Sequence, residues 1–138
     1  MINIDELEKD NSLSDDEYIV YHPKKPTYIF NSLLDSNEDC EINISVKCEL
    51  IKVISELDKY MKWLANCENE LIDYMQNIID EKIPENWIDD IEIFNVFITF
   101  ADYDDFGATV IFRESLFSDH SIEVNFEKYN ILEANLNG

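Results

Sequence analysis

Glycine is almost missing from this chain: Gly107 and Gly138 are the only two in 138 residues. A phosphate-cradling loop needs closely spaced glycines so that backbone N–H groups can approach the anion, so nucleotide binding by the usual loops is excluded. Basic residues are also scarce, with 10 Lys and Arg against 31 Asp and Glu and a formal net charge of −21 at pH 7. Such a field repels DNA, RNA and anionic membrane surfaces and steers basic partners inward. Its blander consequence is solubility. No apolar run approaches the roughly 20 residues needed to cross a bilayer. The N-terminal stretch MINIDELEKDNSLSDDEY lacks the basic head and apolar centre of a secretion signal. Cys40, Cys48 and Cys67 form no CxxC and have no histidine at metal-ligand spacing. Free thiols in a reducing cytoplasm, no cofactor and no bound metal are the expectation.

What is present argues for a folded protein. The hydrophobic share is 46% and the aromatic share 12%, with only three prolines, which is the composition of a chain that buries a core. The length fits one domain over residues 1–138. Residues 1–17 carry acids with few apolar neighbours, and are expected to be a loosely attached acidic segment.

The C-terminal third is rich in β-branched and aromatic residues. IEIFNVFITF, ATVIFRESLF and SIEVNF, separated by Asp, Gly and Ser, read as three consecutive strands of an antiparallel meander over 91–126. Further upstream, YIVY at 18–21, TYIFNSLL at 27–34 and CEINISVKC at 40–48 also read as strands. In the last of these, Ile42, Ile44 and Val46 alternate with polar residues, which marks a half-buried strand. The acidic SNED at 36–39 is expected to join 27–34 and 40–48 into a hairpin.

From Leu50 the period changes. Leu50, Ile54, Leu57, Met61, Leu64, Leu71, Met75 and Ile78 recur at spacings dominated by three and four, one face of a helix, with weak helix formers Asn66 and Asn69 at a break. The helical region of 49–81 ends before Pro84. The expected fold class is therefore α+β, an antiparallel sheet of about four to six strands packed against a long or broken helical region.

Candidate sites are few. His120 and His22 are the only histidines, and no thiol sits in a recognisable nucleophile motif. His120 is expected to make a structural hydrogen bond at the start of the third meander strand. Asp102, Asp104 and Asp105 have the opening spacing of a calcium loop, but Phe106 and Arg113 occupy positions that would need oxygen ligands. A hairpin turn with Gly107 at positive φ is the better reading. Its acids and aromatics suggest a contact surface: Asp102, Tyr103, Asp104, Asp105 and Phe106, with Trp87 as a further anchor or a plug at the core edge.

The run Leu116, Phe117, then His120, Ser121, Ile122, with Trp87 upstream and a closing Gly138, resembles a family of small uncharacterised bacterial domains over residues 71–138. Where that family carries an aromatic and a glycine, this chain has Ser118 and Asp119. The resemblance implies a bacterial α+β domain and assigns no catalytic residues. In general character the chain is similar to immunity proteins, acidic inhibitors that neutralise a basic toxin or nuclease. The expected function is accordingly binding of a basic protein partner such as a toxin domain, without catalysis and without direct contact to nucleic acid or membrane. A phage or mobile-element DNA mimic blocking a nucleic-acid-binding defence protein, an enzyme using His120, and an adaptor whose acidity is only solubilising are the alternatives.

Overall fold

Alternating apolar residues of the C-terminal third bury one face of three antiparallel strands in the computed structural model, which describes residues 2–35, 40–117 and 119–137. They are β6 (Glu92–Asp102), β7 (Asp105–Arg113) and β8 (Ser121–Glu127). Val96, Ile98 and Phe100, then Ala108, Val110 and Phe112, then Ile122, Val124 and Phe126 face the core in successive strands. A fourth strand, β9 (Asn130–Asn137), extends this meander. Its sequence NILEANLN gives little β signal, and the turn that starts it places Lys128 at φ 52°, a left-handed position with no glycine to announce it.

The fold is α+β, as expected, but three further strands, β1 (Leu7–Asp10), β2 (Ile19–Pro23) and β5 (Glu41–Val46), bring the main sheet to seven. Their order is β1-β2-β5-β6-β7-β8-β9, and one of the pairings is parallel. β5 and β6 run parallel, with Glu41 opposite Asn95 and Val46 opposite Phe100. A parallel neighbour needs a long crossover. The helices α1 (Leu50–Ala65) and α2 (Glu68–Ile78) provide it, lying on the core face and separated at Asn66–Cys67, where the sequence loses helix propensity. Among the described residues no helix is long and apolar enough to cross a membrane.

Two expectations fail for local reasons. The run TYIFNSLL is two short strands, β3 (Thr27–Ile29) and β4 (Ser32–Leu34), which pair with each other. Phe30 and Asn31 turn the chain between them at φ 51° and 62°, the two-residue geometry whose twist matches paired strands. β5 thus joins β2 and β6 rather than 27–34; the SNED segment at 36–39 lies outside the described residues. Gly107, expected at positive φ in a loop, sits inside β7 with no positive φ. Its requirement is space, since a Cβ there would lie 2.5 Å from the Phe126 carbonyl oxygen of the adjoining strand.

Of the 1–17 segment expected to be loosely attached, the described residues 2–17 are tied to the sheet. Leu7 is buried, β1 pairs with β2 from Leu7 opposite Pro23 to Asp10 opposite Val20, and the Ile2 N–H donates to Asp58 Oδ1 at 2.8 Å. Asp58 also holds Lys62 Nζ at 2.9 Å, one helical turn further along α1.

The Phe30–Asn31 turn closes the core. Its two N–H groups donate to Leu64 O at 2.9 Å and Ala65 O at 2.7 Å, satisfying carbonyls that the end of α1 would otherwise leave open. The Phe30 side chain, 1% exposed, lies edge-on to Phe112 at 6.2 Å between ring centres and against Phe126 at the same distance. Phe30→Ala should lower the unfolding free energy by about 3–5 kcal/mol, since it empties a site in contact with the helix end and two strands. Gly107→Ala should cost about 1–3 kcal/mol by forcing two strands apart. Urea unfolding checks both, and an unchanged midpoint for either would contradict the packing described.

Candidate partner-binding site

Parallel pairing of β5 and β6 brings their C-terminal ends to the same end of the sheet. Antiparallel β2 begins there, with Ile19 opposite Val46, so the loop between β1 and β2 emerges beside the β6–β7 turn. That turn is tight: Asp102 pairs with Asp105 and only Tyr103 and Asp104 lie between them. One rim therefore gathers Asp15, Asp16 and Glu17 from the first loop and Asp102, Asp104 and Asp105 from the second.

Lys47 stands between the two groups. Its Nζ lies 3.2 Å from Glu17 Oε1, and its pKa is raised by the Glu17 hydrogen bond and charge, then by Tyr18 and by Asp105 across the gap. Asp15 is held in a local turn, accepting N–H bonds from Glu17 and Tyr18, both at 2.8 Å; those bonds lower its pKa. The Tyr103 N–H donates to Asp102 Oδ1 at 2.8 Å, and the Tyr103 ring is 59% exposed. The rim thus presents fixed carboxylates around one projecting aromatic ring.

Of the residues expected to form a contact surface, Asp102, Tyr103, Asp104 and Asp105 are brought together here. Phe106 and Trp87 are not available as anchors. Phe106 is buried, stacked on Phe100 with ring centres 4.6 Å apart and edge-on to Tyr60 at 4.8 Å. The strand alternation that leaves Asp105 outside turns Phe106 inward. Trp87 is buried at the opposite end of the β6–β7 ribbon, where its Nε1–H donates to Glu114 Oε2 at 2.9 Å. It is the core plug.

Glu114 has a structural role that sequence reasoning missed. Besides Trp87 it accepts the N–H of Leu116 on Oε2 at 2.6 Å and that of Phe117 on Oε1 at 3.0 Å. A buried carboxylate is tolerated because these donors surround it. Asp90 fixes the same connection by accepting from the N–H and hydroxyl of Ser115. The cue in the sequence is slight, a polar Arg113–Glu114–Ser115 step between the apolar residues Phe112 and Leu116.

Among the described residues no hydrogen bond joins a histidine to a thiol. The His120 backbone N–H donates to Phe117 O at 2.9 Å just before β8, while its buried Nδ1 has no hydrogen-bond partner among the described residues. Burial pushes Cys67 up to about 12 and Cys40 up to about 11, the reverse of what a nucleophilic thiolate needs. Among the described residues no group of three or more His, Cys, Asp or Glu side chains is arranged to hold a metal ion.

His22, passed over in the sequence, is held at both ring nitrogens. Nδ1 lies 2.8 Å from Ile42 O and Nε2 2.7 Å from Asp10 Oδ2. Both partners are acceptors, so the doubly protonated ring satisfies both. Burial opposes that charge, but the Ile42 carbonyl and the Asp10 carboxylate outweigh it and raise the His22 pKa. Asp10 is held low by His22, Ser12 and Leu13 and remains ionised throughout.

Compared with family models, curated proteins and solved structures, the chain matches none.

A raised folded-state pKa for His22 gives stability that is fully present below its ordinary value of about 6.5 and is lost as pH rises through the raised value. The stability difference between the native protein and His22→Gln should therefore shrink from pH 6 to about pH 9. Denaturant titrations at the two pH values check this; a difference that grows with pH would contradict the doubly protonated ring.

Proposed function

We propose that this protein is an inhibitor of the immunity-protein kind, which binds a basic toxin or nuclease domain through its acidic rim and neutralises it by occlusion. The observation that carries this reading is Tyr103, 59% exposed at the tip of a two-residue turn and flanked by Asp102, Asp104 and Asp105. An exposed aromatic surrounded by charge is the arrangement in which a few residues dominate binding. The net charge of −21 adds long-range attraction for a cationic partner, which accelerates encounter and rejects acidic competitors. The turn is supported by paired strands and by stacked Phe100 and Phe106, so little ordering is lost on binding. Free Cys40, Cys48 and Cys67 suit a reducing cytoplasm, where such an inhibitor would act.

Occlusion requires no bond to be made or broken. A partner captured by the purified protein at low salt should be basic, and its affinity should fall as salt rises to physiological strength. Asp104→Lys should slow association and Tyr103→Ala should weaken binding by about tenfold, with thermal stability unchanged. A neutral or acidic partner, or binding indifferent to salt and to both substitutions, would contradict the proposal.

A further inference from the structure

The two helices and the β3–β4 hairpin all lie on the core face of the sheet, as the burial of Phe30, Tyr60 and Leu64 against β6, β7 and β8 requires. Among the described residues no helix or hairpin lies over the opposite face. Cross-strand register lays this outer face out in rows. One row runs Asn43, Phe97, Thr109, Asn125, Glu133 from β5 to β9. The next places Ile111 in the middle, with Glu41 on one side and Glu123 on the other. Phe97 is 39% exposed and Ile111 partly so, which leaves an apolar centre between acidic margins.

This face also carries an open acceptor beneath its surface. Asn43 is only 7% exposed, yet its Oδ1 is buried without a hydrogen-bond partner among the described residues, beside Phe97 across the β5–β6 ladder. A buried acceptor left open is uncommon in folded proteins. Its neighbours in the row are already engaged: Thr109 Oγ1 donates to Asn125 Oδ1 at 2.7 Å, and Asn125 Nδ2 donates to Glu133 Oε1 at 3.2 Å. The nearby cation of this face, Arg113, lies over the Phe94 ring at 5.4 Å.

We infer that the outer face of the sheet, centred on Phe97 and Ile111, is a docking surface for the basic partner, continuous with the acidic rim through Asp105 at the start of β7. This rests on the inhibitor reading above and extends its contact surface from the turn to the sheet. The occupant is a protein segment that sets an apolar side chain against Phe97 and lysines or arginines against Glu41, Glu123 and Glu133. A second copy of the chain is a poor fit, because its own acidic margins would oppose these.

The test uses a synthetic amphipathic leucine–lysine peptide and polylysine of equal charge as probes, with calorimetry and backbone amide shifts as readouts. The peptide should bind about tenfold more tightly than polylysine, and Phe97→Ser or Glu133→Lys should each remove most of that margin while Ile51→Ser, at an exposed position of α1, leaves it. Amide shifts should centre on Phe97, Thr109 and Ile111. Shifts confined to the Asp102–Asp105 turn, with Phe97→Ser without effect, would overturn the docking face and leave the inhibitor reading standing. Failure of both probes to bind at low salt would overturn both. Concentration-dependent dimerisation abolished by Phe97→Ser would assign the face to a second copy and overturn the proposal.

Discussion

The turn at Phe30 and Asn31 is the constraint on which the rest of this structure depends. Two consecutive non-glycine residues at positive φ, one of them a bulky aromatic, cost on the order of 1–3 kcal/mol each in backbone strain. The geometry persists because it places two N–H groups on the terminal carbonyls of α1 and one phenyl ring between Phe112 and Phe126. Hairpin, helix end and sheet are thereby fixed to one another. With α1 fixed, Tyr60 reaches Phe100 and Phe106, and the base of the β6–β7 turn becomes rigid. The exposed carboxylates at the rim are held by a packed aromatic layer below them.

Charge and packing are separated in this molecule. The core takes the aromatic and β-branched residues, and few acidic side chains enter it. Glu114 is one, and three N–H donors satisfy it. Asp58 is another, held by Lys62 and the Ile2 N–H. The other acids of the described residues are mostly exposed, at the rims, on the outer face of the sheet and on the solvent sides of α1 and α2, where mutual repulsion is screened by water and salt. Concentration of carboxylates at the sheet end and on the outer face follows from strand parity, because the inward positions of β5 to β8 are fully occupied by apolar side chains.

Much of the fold was legible in the sequence, for identifiable reasons. Alternation is a direct record of which face is wet, so β5, β6, β7 and β8 could be read from Ile42, Ile44 and Val46 and from the meander. The spacing of Leu50 to Ile78 recorded the helices and Asn66 their break. The Phe30–Asn31 turn was hidden because Phe30 at positive φ is unexpected and fits a strand pattern, so Asn31, a residue that tolerates the left-handed region, stood as the single cue. Strand β9 was invisible because asparagines and an edge position leave little periodicity. Half of the candidate site could be read, since acids around Tyr103 in a tight turn are a local feature. Burial of Phe106 and Trp87 is a tertiary fact, and the pairing of His22 with Asp10 joins residues from neighbouring strands.

The central claim is that the rim at Asp102–Asp105 and the adjoining sheet meet a basic partner. Hydrogen–deuterium exchange of the protein alone and saturated with its captured partner tests it most directly. The account predicts that protection on binding concentrates in the β6–β7 turn and along β6, β7 and β8, and fades as salt is raised. Protection confined to the solvent side of α1 and α2, with the turn unchanged, would contradict it.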